Sequence, residues 1–98
     1  DTTAGWYAEA SQEAAANMKE NLGVSRAQNA TKLLIKEAYK SSADTVIIPM
    51  QDYLGLGTDA RMNIPSTLGG NWQWRVEKKD LTPKLAKEIK DLVRVYCR

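Results

Sequence analysis

Thr45-Val46-Ile47-Ile48-Pro49 is a run of β-branched residues with no polar alternation, introduced by Asp44 and closed by a proline. A strand wet on one face alternates apolar with polar residues, whereas a continuous apolar run suits a strand covered on both faces, as in a parallel sheet. The run predicts a buried strand at about residues 44–49 and an α/β fold. A parallel strand needs neighbours, and the chain offers one weak candidate, the alternating Trp72-Gln73-Trp74-Arg75-Val76. The pattern is that of the tail of a larger α/β structure, whose other strands would lie upstream of Asp1.

Working outward from the strand, the flanking segments read as three main helices. Tyr7, Ala10, Ala14, Met18 and Leu22 recur at steps of three and four among alanines, which predicts a helix from Tyr7 to Leu22 closed at Gly23. Ser25 and Gln28 then form a capping-box pair, followed by a stripe of Ala27, Ala30, Leu34 and Ala38 that runs to Ser41-Ser42. On the far side of the strand, Thr82 as N-cap and Pro83 at the first helical position open a helix. Its apolar face carries Leu85, Ala86, Ile89, Leu92, Val93 and Tyr96, with Lys84, Lys87, Lys90 and Arg94 mostly on the wet side. Between strand and last helix lies Gln51 to Arg75, rich in glycine and without helical or alternating periodicity. Loops this long inside compact chains are functional or disordered, and the aromatic and apolar content argues for function. No repeat, low-complexity tract or domain boundary divides the 98 residues, which read as a single unit.

Composition closes several chemistries. Hydrophobic residues make up 43% of the chain and charged ones 27%, with 14 basic and 12 acidic side chains, a balance that favours collapse over disorder. The apolar run at Val46–Met50 is far short of the ~20 residues a bilayer needs, so no membrane partner is expected. The opening Asp1-Thr2-Thr3 shows no signal-peptide pattern. With no histidine, imidazole catalysis is closed within this chain, and one cysteine without histidine supplies no zinc site. Cys97 alone forms no internal disulfide, which fits a reducing, cytoplasmic compartment. A net charge of +2 gives a nucleic-acid partner little support, and the basic face of the last helix reads as solvated.

Three constellations invite a chemical reading. Gly55-Leu56-Gly57-Thr58-Asp59-Ala60 fits the dinucleotide pattern G-x-G-x-x-G/A, but Gln51 to Leu54 separate it from the strand and Pro65 blocks the long helix that should follow. Asp52 and Asp59 could be cast as the carboxylate pair of a glycoside-cleaving site, while aspartates in such loops are more often turn formers or caps. Trp6, Trp72 and Trp74 stand out in a chain without phenylalanine. Tryptophan stacks on sugars or packs in cores; Trp6, at a helix start, reads as core, and Trp72 is open to either role.

The segment Thr45 to Arg75, TVIIPMQDYLGLGTDARMNIPSTLGGNWQWR, resembles the C-terminal region of the 4-α-glucanotransferases, the amylomaltase or disproportionating-enzyme family. Asp1-Thr2-Thr3-Ala4-Gly5-Trp6 is similar to that family's D-T-x-x-G-W stretch. One departure is Ser66, where the family commonly has glycine after the proline. The resemblance covers essentially the whole chain and only the final portion of an intact enzyme. It implies the C-terminal fragment of a (β/α)8 barrel, mostly helical, with Thr45–Ile48 as the eighth strand and Gln51–Arg75 as its active-site loop, since such sites sit at the C-terminal strand ends.

The implied reaction transfers α-1,4-glucan segments to the 4-hydroxyl of glucose or another glucan by a retaining double displacement, with no metal or organic cofactor. The implied partner is a maltooligosaccharide or other α-1,4-glucan. No catalytic residue is expected in this chain: the family's carboxylates would lie upstream, with Asp1 matching the second aspartate of the H-D-N-D-T stretch and the catalytic one two residues before it. The chain alone is thus expected to be inactive. Asn63, in A-R-M-N, matches a position that contacts the sugar at the cleavage subsite; Arg61, Gln51, Asp52 and Trp72 are further substrate-binding candidates, each equally suited to supporting the loop. An unpaired strand should also drive self-association of the fragment. The rival expectation is a non-catalytic carbohydrate-binding or helical protein-interaction domain.

Overall fold

A computed structural model describes residues 1–24 and 26–98, and the Ser25–Gln28 capping pair lies outside the described side chains. Among the described residues, five α-helices follow in order: α1 (Thr3–Ala8), α2 (Gln12–Leu22), α3 (Ala27–Lys40), the single turn α4 (Met50–Tyr53) and α5 (Pro83–Val95), with 3-10 turns at Thr58–Ala60 and Lys78–Asp80.

The long helix expected over Tyr7–Leu22 is two helices. Glu9 and Ala10 finish α1 with hydrogen bonds to Trp6 and Tyr7 carbonyls, and Ser11 turns to an extended conformation and accepts a hydrogen bond from the Ala14 amide at 3.1 Å. A serine N-cap of this kind is worth about 1 kcal/mol. The i, i+3, i+4 spacing of alanines persisted across the break and concealed it, because alanine favours a helix without specifying where one begins. The far end behaves as expected: Gly23 takes a left-handed φ of 69°, and the amides of Gly23 and Val24 bond back to Lys19 and Met18. Val24, fully buried, anchors that stop.

The core is small and centres on α3. Among the described residues the buried apolar side chains are Val24, Ala30, Ile35, Tyr39 and Ala60, with Thr2, Thr31 and Gln51 as buried polar ones. The buried positions on α3 are Ala30, as expected, with Thr31, Ile35 and Tyr39; the expected Leu34 and Ala38 are only half-buried, so the buried face is rotated toward Thr31, Ile35 and Tyr39. Tyr39 explains the rotation. Its hydroxyl shares a hydrogen bond with that of Tyr53 on α4, and its ring lies 6.3 Å from that of Tyr96 at the end of α5. Burial, and then the shared hydrogen bond, hold the Tyr53 proton well above the usual tyrosine range. At the other end, Thr82 caps α5 through the Leu85 amide with Pro83 in its first turn, as the sequence predicts. Lys84, Lys87, Lys90 and Arg94 are all exposed. Arg98 then ties the two helix ends together, its guanidinium donating to the carbonyls of Tyr39 (2.8 Å), Ser41 (3.0 Å) and Ala43 (2.8 Å).

The expected buried strand at 44–49 does not form within this chain. No strand is present among the described residues, and none of Thr45–Ile48 exchanges a backbone hydrogen bond with another described residue. Trp72–Val76 supplies no partner either. Ile47 is 85% exposed and Val46 and Ile48 are half-buried. The reason is topological: a parallel strand is made by its neighbours, and the chain carries none. Other apolar groups stand equally uncovered, including Val95 at 63% exposure. A cleft of about 660 Å³, lined by Thr31, Ile35, Leu85, Ile89 and Leu92 among others, separates α5 from α3 and α4. The radius of gyration, 14.6 Å, exceeds the ~13 Å of a compact domain of this length. Among the described residues, no helix is long and apolar enough to cross a membrane.

Candidate substrate-binding site

Gln51 to Arg75 is built in two stages. The first is rigid. Pro49 starts α4 and Gly55 ends it, with a φ of 68° and hydrogen bonds from the Gly55 and Leu56 amides to Asp52 and Gln51 carbonyls. The glycine-rich run therefore terminates a helical turn and leads into the 3-10 turn, which is not the strand–glycine–long helix arrangement of a dinucleotide site. Gln51 is buried, and its Nε2 donates to the Ala60 carbonyl at 3.2 Å, pinning the 3-10 turn against α4. The same turn presses on α1: a Cβ on Gly5 would lie 2.6 Å from Thr58 Oγ1 and 2.9 Å from Thr2 Oγ1, so that glycine allows the close approach.

Asp52 reaches across 49 residues. Its Oδ1 accepts from the Thr3 amide at 2.9 Å and its Oδ2 from the Thr3 hydroxyl at 2.8 Å. Hydrogen bonds to a charged group contribute roughly 1.5–3 kcal/mol each, and partial exposure puts these at the low end. Asp52 thus satisfies one of the orphan amides of the first turn of α1, while Asp59, its imagined carboxylate partner, is exposed in the 3-10 turn. Arg61 is a strut between two stretches. Its Nε donates to the Asn63 carbonyl at 2.9 Å, and its Nη1 lies 3.7 Å from Asp1 Oδ1.

The second stage is a loop tied to itself. Thr67 donates to the Ile64 carbonyl at 2.6 Å, and Asn71 accepts from the Ile64 amide at 2.9 Å while its Nδ2 donates to Thr67 Oγ1 at 3.1 Å. Ser66, Gly69, Gly70 and Trp72 all take left-handed φ, 63°, 79°, 73° and 60° respectively. The φ at Ser66 gives a physical reason for glycine there: a side chain in this region costs about 1–2 kcal/mol. The Trp72 amide bonds to the Met62 carbonyl, next to Asn63, which holds the tryptophan on that side of the loop, and the residue is 70% exposed. A bulky residue in left-handed backbone is strain of the kind found at functional sites.

The structure therefore brings Asp1, Thr3, Gln51, Asp52, Arg61 and Asn63 into one cluster, with Trp72 linked to it through Met62. Asn63 is half-buried; its carbonyl is taken by Arg61, and its side-chain amide has no hydrogen-bond partner among the described residues. The turn-capping role that Asn63 could have filled belongs to Asn71, a residue the sequence reading missed. Its signal was an asparagine after Gly69-Gly70 and four residues past a threonine, a spacing that suits side-chain bonding across a turn. Trp6, expected in the core, is 42% exposed.

Known proteins align with this chain. The 4-alpha-glucanotransferase family model matches residues 1–82. The chloroplastic/amyloplastic 4-alpha-glucanotransferase of Solanum tuberosum is 41% identical over 101 residues, covering all of this chain and 18% of that protein. The 4-alpha-glucanotransferase of Clostridium butyricum is 37% identical over 99 residues, covering all of this chain and 20% of that protein. A solved amylomaltase from Streptococcus agalactiae, in complex with acarbose, superposes with a TM-score of 0.88 at 33% identity, covering 99% of this chain and 20% of that one. The chain spans about a fifth of the length of these relatives and matches part of an amylomaltase with a segment that is mostly helical among its described residues. The chain belongs to the 4-alpha-glucanotransferase family.

Proposed function

We propose that this chain is the C-terminal portion of a 4-α-glucanotransferase barrel, an incomplete domain over residues 1–98, and that its part in the reaction is to bind glucan. The single observation that carries the reading is the Asn63 side-chain amide, which has no hydrogen-bond partner among the described residues, on the same self-tied loop as the exposed, left-handed Trp72, whose amide bonds to the neighbouring Met62 carbonyl. An amide offers donors and an acceptor to sugar hydroxyls, and an indole face packs on a sugar ring. Gln51, Asp52 and Arg61 spend their side chains on Ala60, Thr3, Asp1 and Asn63, so they frame the loop and Asn63 and Trp72 touch sugar. Thr45–Ile48, unpaired here, becomes the eighth strand once upstream strands flank it, and the same completion covers Ile47 and the cleft beside α5.

In the intact protein the chemistry is a retaining transfer. An enzyme carboxylate attacks the anomeric carbon as the O4 of the leaving glucan takes a proton from a carboxylic acid. The 4-hydroxyl of an acceptor then gives its proton to that same group and displaces the enzyme carboxylate. Both carboxylates come from outside this chain; no organic cofactor or metal enters the scheme. Cytoplasmic placement agrees with the free thiol of Cys97, whereas the Solanum tuberosum relative is named chloroplastic/amyloplastic.

Given maltotriose, the full-length protein should produce glucose and maltopentaose together, because each maltosyl group removed is delivered to a second maltotriose. Glucose and maltose in equal amounts would mean hydrolysis and contradict transfer.

A further inference from the structure

The Thr3 amide is a first-turn donor of α1, ordinarily left to water. Here both of its donors, amide and hydroxyl, go to one carboxylate 49 residues away, at 2.9 and 2.8 Å. Asp52 makes these bonds from α4, whose neighbour Gln51 is locked to Ala60, and the residue after Ala60 is Arg61, which contacts Asp1 and the Asn63 carbonyl. The contacts close a ring: Asp1 and Thr3 on one stretch, Asp52 to Asn63 on the other, with Asp52–Thr3 and Arg61–Asp1 as the two cross-links. Gly5 against Thr58 leaves the ring no slack on its third side, since even a methyl group would collide there.

We propose that Asp52 is a positioning residue of the transfer reaction: its paired bonds to Thr3 fix the chain around Asp1 against the Gln51–Asn63 segment and so set where Asn63 stands relative to whatever precedes Asp1. The inference rests on the glucanotransferase reading. Without the Asp52 carboxylate, the polar cross-link left between the two stretches is the Arg61–Asp1 pair, long at 3.7 Å and partly exposed and so weak, while the packing of Gly5 against Thr58 supplies contact without a directional bond. A change in register of the order of 1 Å is enough to reduce turnover strongly.

The test uses the full-length enzyme with maltotriose as substrate. Asp52→Ala should lower kcat by about tenfold or more while KM changes less than about threefold, since it misaligns reacting groups and leaves the sugar contacts in place. Asp52→Asn should recover most of that loss, because the amide oxygen accepts from the Thr3 N–H while its NH2 donates to the Thr3 hydroxyl, which reverses its role. Thr3→Val, which removes one of the two bonds, should lower kcat by an intermediate factor. If Asp52→Ala fails to fold, Thr3→Val decides: unchanged kcat overturns the proposal. Lower melting temperature with wild-type kcat per folded molecule in Asp52→Ala would make the contact purely structural and overturn it as well. Absence of transfer by the wild-type enzyme would instead remove the glucanotransferase reading and this proposal with it.

Discussion

The 98-residue chain by itself should release no glucose from maltotriose above a blank. Retaining transfer needs a carboxylate to form the glycosyl-enzyme bond and an acid to protonate the leaving oxygen. In this chain the two carboxylates clustered with Asn63 are engaged in structural contacts, Asp52 with Thr3 and Asp1 with Arg61, and Asp59 is exposed. The loss should be complete because binding without the nucleophile leaves the glycosidic bond essentially at its uncatalysed rate. Sedimentation of the same sample should show association that grows with concentration, since unpaired backbone at Thr45–Ile48 and an 85% exposed Ile47 recruit further chains. Measurable transfer by the purified chain would contradict the assignment of the catalytic groups to the remainder of the enzyme, and a stable monomer would contradict the exposed edge as an adhesive surface.

Asn63→Ala in the full-length enzyme should lower kcat/KM by about tenfold or more, with part of the loss in kcat. A neutral hydrogen bond contributes about 0.5–1.5 kcal/mol net, and one that tightens as the sugar ring flattens toward the transition state contributes more there than in the ground state. The melting temperature should barely move. Asn63 holds the loop through its backbone carbonyl, which alanine retains, and the loop's own side-chain ties are made by Thr67 and Asn71. Steady-state kinetics and thermal unfolding on one variant separate the cases: unchanged kinetics would remove Asn63 from the site, and a stability loss alone would reassign it to structure.

Local signals with a fixed chemical grammar were legible in the amino-acid sequence. Thr82-Pro83 marked the start of α5 and Gly23 the end of α2, because caps and left-handed stops depend on nearby residues alone. The break at Ser11 escaped notice for the converse reason: alanine-rich spacing fits one helix or two equally well. The strand at 44–49 illustrates a different limit. Its apolar pattern is the one expected of a strand with neighbours on both sides, and no strand is present among the described residues to supply them, so the ladder does not form. Within the site, Asn63 and Trp72 could be singled out by motif, but the pairing of Asp52 with Thr3 could not, since no spacing in the sequence announces a contact 49 residues long. Ser66 could be noticed as a departure and explained only once its φ of 63° was seen.

The most direct measurement is a crystal structure of the full-length protein with acarbose, the ligand carried by the streptococcal amylomaltase. The account predicts a sugar hydroxyl within hydrogen-bond reach of the Asn63 amide, the Trp72 ring against a sugar face, and Thr45–Ile48 hydrogen-bonded to strands on both edges. Acarbose bound away from the Gln51–Arg75 loop, with Thr45–Ile48 still unpaired, would contradict it.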